Sequence, residues 1–140
     1  MQFTRRGDYA LRAMVYLTEA RGADPHTIDE ISGHSNVPRH FLAKILKDLT
    51  KANLLIAVKG ARGGYVLARR PSNISLLEII EASVGPMTLN ICIEGRDRCS
   101  ETSTCELYPI WKKASRAMID VFGTTKLSAM QRKKVMRYGR

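Results

Sequence analysis

Cys92, Cys99 and Cys105 are the only cysteines in the chain, and all three fall in one polar stretch, NICIEGRDRCSETSTC. An odd number of clustered thiols reads against a disulfide framework. Thiolates grouped with spacing Cys-x6-Cys-x5-Cys are what a soft metal or an iron–sulfur cluster requires, because such centres need several sulfurs converging within bonding distance. Three buried small residues are the plain alternative, since cysteine is often buried, but this stretch shows no core periodicity. A closed zinc site wants a fourth Cys or His, and the stretch holds no histidine. Arg96 and Arg98 beside the thiols would favour thiolates and suit a redox switch. A fourth ligand must come from a carboxylate, solvent or a residue elsewhere. Glu94, Asp97, Glu101 and Glu106 are the candidates in the stretch. Asp8 is the candidate outside it, and its simpler role is a first-turn carboxylate favoured by the helix dipole.

The rest of the chain has a different character. The 140 residues carry a formal charge of +10, a balance that favours a polyanionic partner. Residues 1–70 hold 12 Lys/Arg against 6 Asp/Glu, residues 71–106 hold 2 against 6, and residues 107–140 hold 9 against 1. The cysteines therefore sit in an acidic island within a basic chain. Mean hydropathy is −0.20, and no apolar run approaches the ~18 residues of a membrane helix. Arg5, Arg6, Asp8 and Arg12 near the start do not make a signal peptide. The expected location is the cytoplasm, where thiols stay reduced.

The elements that must position the thiols and the charge follow from pattern. A first helix is expected over 4–20, with Ala10, Met14 and Leu17 on one face. Thr27 and Glu30 form a capping box that starts a short helix ending near Gly33. Pro38 suits the first position of the next helix, which runs to about Ala52. Phe41, Ile45 and Leu49 recur every fourth residue there, flanked by Leu42 and Leu46. The opposite face carries Arg39, His40, Ala43, Lys44, Lys47 and Lys51. Helix, short turn and helix with a basic outer face make a helix-turn-helix. LLIAV and YVLAR flank the basic, Gly-rich turn KGARGG and read as a hairpin, the wing of a winged helix. Lys59 and Arg62 stand at its tip, within reach of phosphates or a minor groove. Gly60, Gly63 and Gly64 permit close backbone approach. His26, His34 and His40 read as surface or turn residues.

Ser75 and Glu78 form a second capping box, with Ile74 and Ile79 at the positions of a hydrophobic staple. That helix ends at Gly85–Pro86, and a loop over 90–106 follows. Pro109 opens a last long helix to about Phe122, with Gly123 as its stop. Ile110, Trp111, Ala114, Ala117, Met118, Val121 and Phe122 form its apolar stripe, which either joins the core or makes a symmetric dimer. A separate basic tail is expected from Leu127, with Arg132, Lys133, Lys134, Arg137 and Arg140. No nucleotide fingerprint, P-loop or nucleophile triad is present, so neither an enzyme nor a small-molecule substrate is expected.

TRRGDYALRAMVYL, VPRHFLAKILKDLTKANLL, KGARGGYVLAR and the three-cysteine stretch together resemble the iron–sulfur winged-helix regulators, the family of the IscR, NsrR and RirA proteins. The resemblance covers nearly the whole chain. It implies a homodimeric bacterial transcription factor, often a repressor, on palindromic double-stranded DNA. It carries the cluster ligands onto Cys92, Cys99 and Cys105. It carries the start of the recognition helix onto Pro38, Arg39, His40 and Lys44, and the wing tip onto Lys59, Arg62, Gly63 and Gly64. The histidine ligand that follows the third cysteine in IscR-like members is missing, since Leu107, Tyr108 and Pro109 stand there. The six-residue first spacing is nearer the four-iron members, so [4Fe–4S] is favoured over [2Fe–2S]. Asp8 matches the aspartate that NsrR-like members supply from the other subunit.

The expected architecture is mainly α with a small β-hairpin wing: a winged helix-turn-helix over 1–85, a cysteine loop over 86–107, and a dimerisation helix with a basic tail over 108–140. The competing functions are a thiol-redox or zinc-stabilised DNA-binding regulator without a cluster, and a cluster-bearing electron-transfer protein.

Overall fold

The computed structural model describes residues 4–20 and 23–130. Its elements are α1 (Arg5–Glu19), α2 (Ile28–Ser35), α3 (Arg39–Lys51), β1 (Leu55–Val58), β2 (Gly64–Leu67), α4 (Leu76–Val84), α5 (Ile91–Glu94) and α6 (Tyr108–Thr124), with 3-10 turns at Pro71–Asn73, Arg96–Arg98 and Leu127–Met130. The fold is a winged helix-turn-helix followed by a long helix, as the pattern predicts.

Local chemistry explains most boundaries. Thr4 caps α1 by accepting from the Gly7 N–H, and Ala10, Ala13, Met14 and Leu17 turn inward. The Thr27–Glu30 box forms, with bonds of 2.7 and 3.2 Å. α2 passes Gly33 and stops only at Asn36, which takes the left-handed conformation at φ 56°. Asparagine tolerates that region, so it ends the helix as glycine often does. Pro38 is the N-cap of α3 and not its first residue: its ψ of 134° is extended, and its carbonyl accepts from Phe41 and Leu42.

Leu42, Ile45, Leu46 and Leu49 on α3 are fully buried. Each contributes roughly 1.5–3 kcal/mol by leaving water. Phe41 departs from expectation. It is 49% exposed, because rows spaced by four drift around a helix of 3.6 residues per turn. Its ring swings toward α1, where Tyr9 meets it at 5.8 Å between centroids.

The hairpin pairs Leu55 with Leu67 through to Val58 with Gly64. His26 adds a single rung on the other side of β2. Its N–H donates to the Tyr65 carbonyl at 3.0 Å, and the Tyr65 N–H donates back at 2.8 Å. The Ser75–Glu78 box caps α4, and Ile74 and Ile79 are both fully buried. Burial alone would raise the Glu78 carboxyl, but hydrogen bonds from Ser75 and the Arg69 guanidinium outweigh it and hold it below the usual carboxylate range.

The loop expected over 90–106 contains α5, capped by Asn90, and the turn Arg96–Arg98. Four residues are too few to show a helical period. Gly123 is not a stop. It lies inside α6, where the missing Cβ faces Leu77, and the helix runs to Thr124. The chain then turns back: the Leu76 N–H donates to the Thr125 carbonyl and the Leu127 N–H to the Ile74 carbonyl, at 3.0 and 2.8 Å. Leu127, expected to begin a separate tail, is fully buried in the core with α1 and α4 residues. The five basic tail residues lie outside the described residues.

Candidate functional site

The outward face of α3 presents Arg39, His40, Ala43, Lys44, Lys47 and Lys51, all exposed, with Pro38 exposed at its start. Lys59 and Arg62 are exposed on the wing. Of these cations Arg39 is engaged, its Nε 2.7 Å from Asp29. Beside the start of α3 lies a polar cleft of about 420 Å3 lined by Arg5, Tyr9, Arg12, Ser32, Asn36, Val37 and Pro38. Arg5 and Arg12 thus extend the basic surface, a role that reading α3 and the wing in isolation does not find.

Two glycines carried to the wing tip shape it from within. A Cβ on Gly63 would strike the Val58 carbonyl oxygen, and the Gly63 N–H closes the turn onto the Gly60 carbonyl at 3.0 Å. Gly64, at φ 150°, lies against the His26 backbone, which occupies the space of any Cβ. α3 is pinned in turn by Arg6, whose guanidinium pairs with Asp48 and also donates to the Ser83 carbonyl near the end of α4. One side chain therefore ties α1, the recognition helix and the helix that leads to the cysteines.

The histidines have specific partners. His26 Nδ1 lies 3.1 Å from the Tyr16 hydroxyl, and the His34 ring stacks on Tyr16 at 4.9 Å. Burial, with Glu30 nearby, pushes the Tyr16 hydroxyl up. The backbone hydrogen bond from Thr27 holds Glu30 below its usual value. This cluster braces α1 against α2 and, through His26, against the wing.

All three cysteines are free, Cys92 buried and Cys99 and Cys105 half-buried. As a donor set they suit a thiophilic centre. Their geometry within one chain is not a finished site: among the described residues no three His, Cys, Asp or Glu side chains converge to hold a metal ion. Arg98, flanking Cys99, is engaged with Glu94 at 2.6 Å. Asp8 stands in the first turn of α1, paired with Arg12 at 3.0 Å.

The apolar stripe of α6 divides in two. Trp111, Met118 and Phe122 are half-buried, with Ser115 buried between them. The outer row is Leu107, Ile110, Ala114, Ala117 and Val121, spaced three and four apart, and all five are exposed. Ile110 and Val121 are 61% and 62% exposed. Among the described residues no helix is long and apolar enough to cross a membrane.

Residues 3–133 match the Rrf2 family model, described as an iron-dependent transcriptional regulator. An HTH-type transcriptional regulator of Aquifex aeolicus is 34% identical over 128 residues, covering 89% of this chain and 88% of that one. The structure of CymR, the global cysteine regulator of B. subtilis, superposes with a TM-score of 0.75 at 26% identity, over 94% of this chain and 99% of that one. IscR of T. potens superposes with a TM-score of 0.72 at 26% identity, over 93% and 85%. With a basic recognition helix and wing set on this scaffold, the chain is a winged-helix DNA-binding protein and not an enzyme, and it belongs to the Rrf2 family of transcriptional regulators.

Proposed function

We propose that the protein is a cytoplasmic, homodimeric bacterial repressor whose hold on a palindromic operator is controlled by an iron–sulfur cluster on Cys92, Cys99 and Cys105. The observation that carries this reading is the position of the three free thiols, in one segment between α4, which Arg6 ties to the recognition helix, and the exposed row of α6. [4Fe–4S] is favoured over [2Fe–2S], and Asp8 of the partner subunit is the candidate fourth ligand. When bound, such a cluster supplies a redox- and iron-sensitive bond network between sulfurs that are otherwise unlinked. The protein's own part is to hold the thiols at the junction of the two working surfaces. The second reading, a thiol-redox or zinc-stabilised regulator without a cluster, is supported on its redox side by the similarity to CymR of Staphylococcus aureus, whose structure is described as an oxidised form.

Anaerobic isolation with visible absorption and iron and sulfide analysis separates the two. The cluster reading expects brown protein with stoichiometric sulfide. Colourless protein that reversibly oxidises its thiols would establish the second. Control of DNA binding is tested by titrating one native operator with holo and apo protein in the same anaerobic buffer. A tenfold tighter holo complex needs only about 1.4 kcal/mol of coupling. Equal affinities at every native site would leave a cluster without a switch.

Arg62→Ala is expected to weaken operator binding by about 1–3 kcal/mol if the guanidinium reads a base edge or narrow groove. If it meets only phosphate, the loss is uniform across sequences and the salt slope falls by about one. Fluorescence anisotropy at several salt concentrations distinguishes these outcomes, and an unchanged Kd at all of them removes Arg62 from the interface.

The dimer is tested best at Val121. Met118 is half-buried against its own chain, whereas Val121 belongs to the exposed row. Val121→Glu is expected to give a folded monomer by sedimentation at micromolar concentration, since a desolvated carboxylate costs several kcal/mol. A Val121→Glu dimer as tight as wild type would move the interface elsewhere.

A further inference from the structure

We infer that Phe41 reads thymine in the operator by seating its ring against the C5-methyl group in the major groove. The inference rests on the DNA-binding reading of α3 and deepens it. Phe41 follows His40 at the start of the recognition helix, with Lys44 one turn on. Its neighbours Leu42, Ile45 and Leu46 are fully buried, while Phe41 leaves half its surface in water. Nor is it loose. Its centroid lies 4.1 Å from that of His40 and 5.8 Å from that of Tyr9, so rings on two sides limit its movement. The cost of ordering a large apolar group for recognition is therefore already met in the free protein.

The surrounding chemistry identifies the ligand. Lys44 and Lys47 on the same helix, and Arg5 along the cleft beside it, are suited to phosphate. None of them distinguishes one base pair from another by apolar contact. The thymine methyl is the one apolar group that the major groove offers, and phenylalanine is among the side chains that meet it. Phe41 is thus a specificity residue set in a frame of phosphate-binding cations.

The test uses the anaerobically isolated, full-length protein and a duplex recovered with it from a randomised library. Each thymine of that duplex is replaced singly by deoxyuridine, which removes only the methyl group. For wild type, replacement at one position per half-site is expected to raise Kd about three- to fivefold, the effect of one buried methyl. Phe41→Ala should bind the parent duplex more weakly and show no further loss on that deoxyuridine duplex. Phe41→Leu should keep part of the preference. Wild-type affinity indifferent to every replacement overturns the inference without any variant. A Phe41→Ala protein that keeps the full methyl sensitivity, or that loses affinity only because its dimer dissociates, also overturns it. If no duplex is enriched, the DNA-binding reading itself fails and takes this inference with it.

Discussion

Gly64→Val is expected to unseat the wing, lowering stability by about 2–5 kcal/mol and abolishing selective DNA binding. The backbone at 64 sits at φ 150°, where a β-branched residue is strained by roughly 1–3 kcal/mol. The place of its Cβ is taken by the backbone of His26. Relief requires moving His26 away, which breaks its two hydrogen bonds to Tyr65, each contributing roughly 0.5–1.5 kcal/mol. A domain of this kind has only about 5–15 kcal/mol in total. Urea unfolding should show a lower midpoint with the slope preserved, and anisotropy should show selected DNA bound no better than random DNA. Gly60→Ala is the comparison: its φ of 111° is also strained, but the space around it is open, so its loss should be smaller. Equal stability of Gly64→Val and wild type would mean that the His26 rung does not hold the wing.

Cys99→Ala and Cys105→Ala are each expected to give colourless protein after anaerobic reconstitution, with iron and sulfide near zero. Three thiolates leave no redundancy. Both residues are half-buried, so their removal opens no large cavity and the loss can be assigned to ligation. Cys92 is buried, and Cys92→Ala should show the same loss together with a small fall in unfolding midpoint. Asp8→Ala should change the decay rate of the cluster while leaving the fold intact. To serve as a ligand Asp8 must leave Arg12, so Arg12→Ala is expected to shift that rate in the opposite direction. A cysteine variant that keeps full iron and sulfide, or an Asp8→Ala protein with unchanged spectrum and decay rate, removes that residue from the ligand set.

Features set by neighbours in the chain were legible in the sequence. Both capping boxes are four-residue patterns, and each forms. The burial of Leu42, Ile45 and Leu46 follows from helical period, and the hairpin from two β-prone runs around glycines. Features set by distant partners were not. His26 reads as a turn residue because its partner, Tyr65, lies far along the chain and its pairing uses backbone atoms, which every residue has. Gly64 reads as a site of approach to DNA, since a sequence shows that a Cβ is missing and not what fills its place. Leu127 is apolar in a basic stretch, and only the fold reveals that Ile74 awaits it. The cysteines were legible as donors. Their spacing fixes the kind of atom a centre would receive but not the point at which three sulfurs meet.

The return of the chain at Thr125 and Leu127 gives α6 one clamped end. Two backbone hydrogen bonds and a buried leucine fix it to the start of α4, while its other end continues into the thiol segment. Seventeen residues make a rod roughly 25 Å long. A tilt of about 5° at the clamp carries the far end about 2 Å. In the proposed dimer joined along this rod, such a tilt would carry Leu107 and Ile110 farthest and leave Val121 near the pivot. In that dimer the distance between two recognition helices would be reset by leverage, with the hydrophobic core of each molecule left as it is.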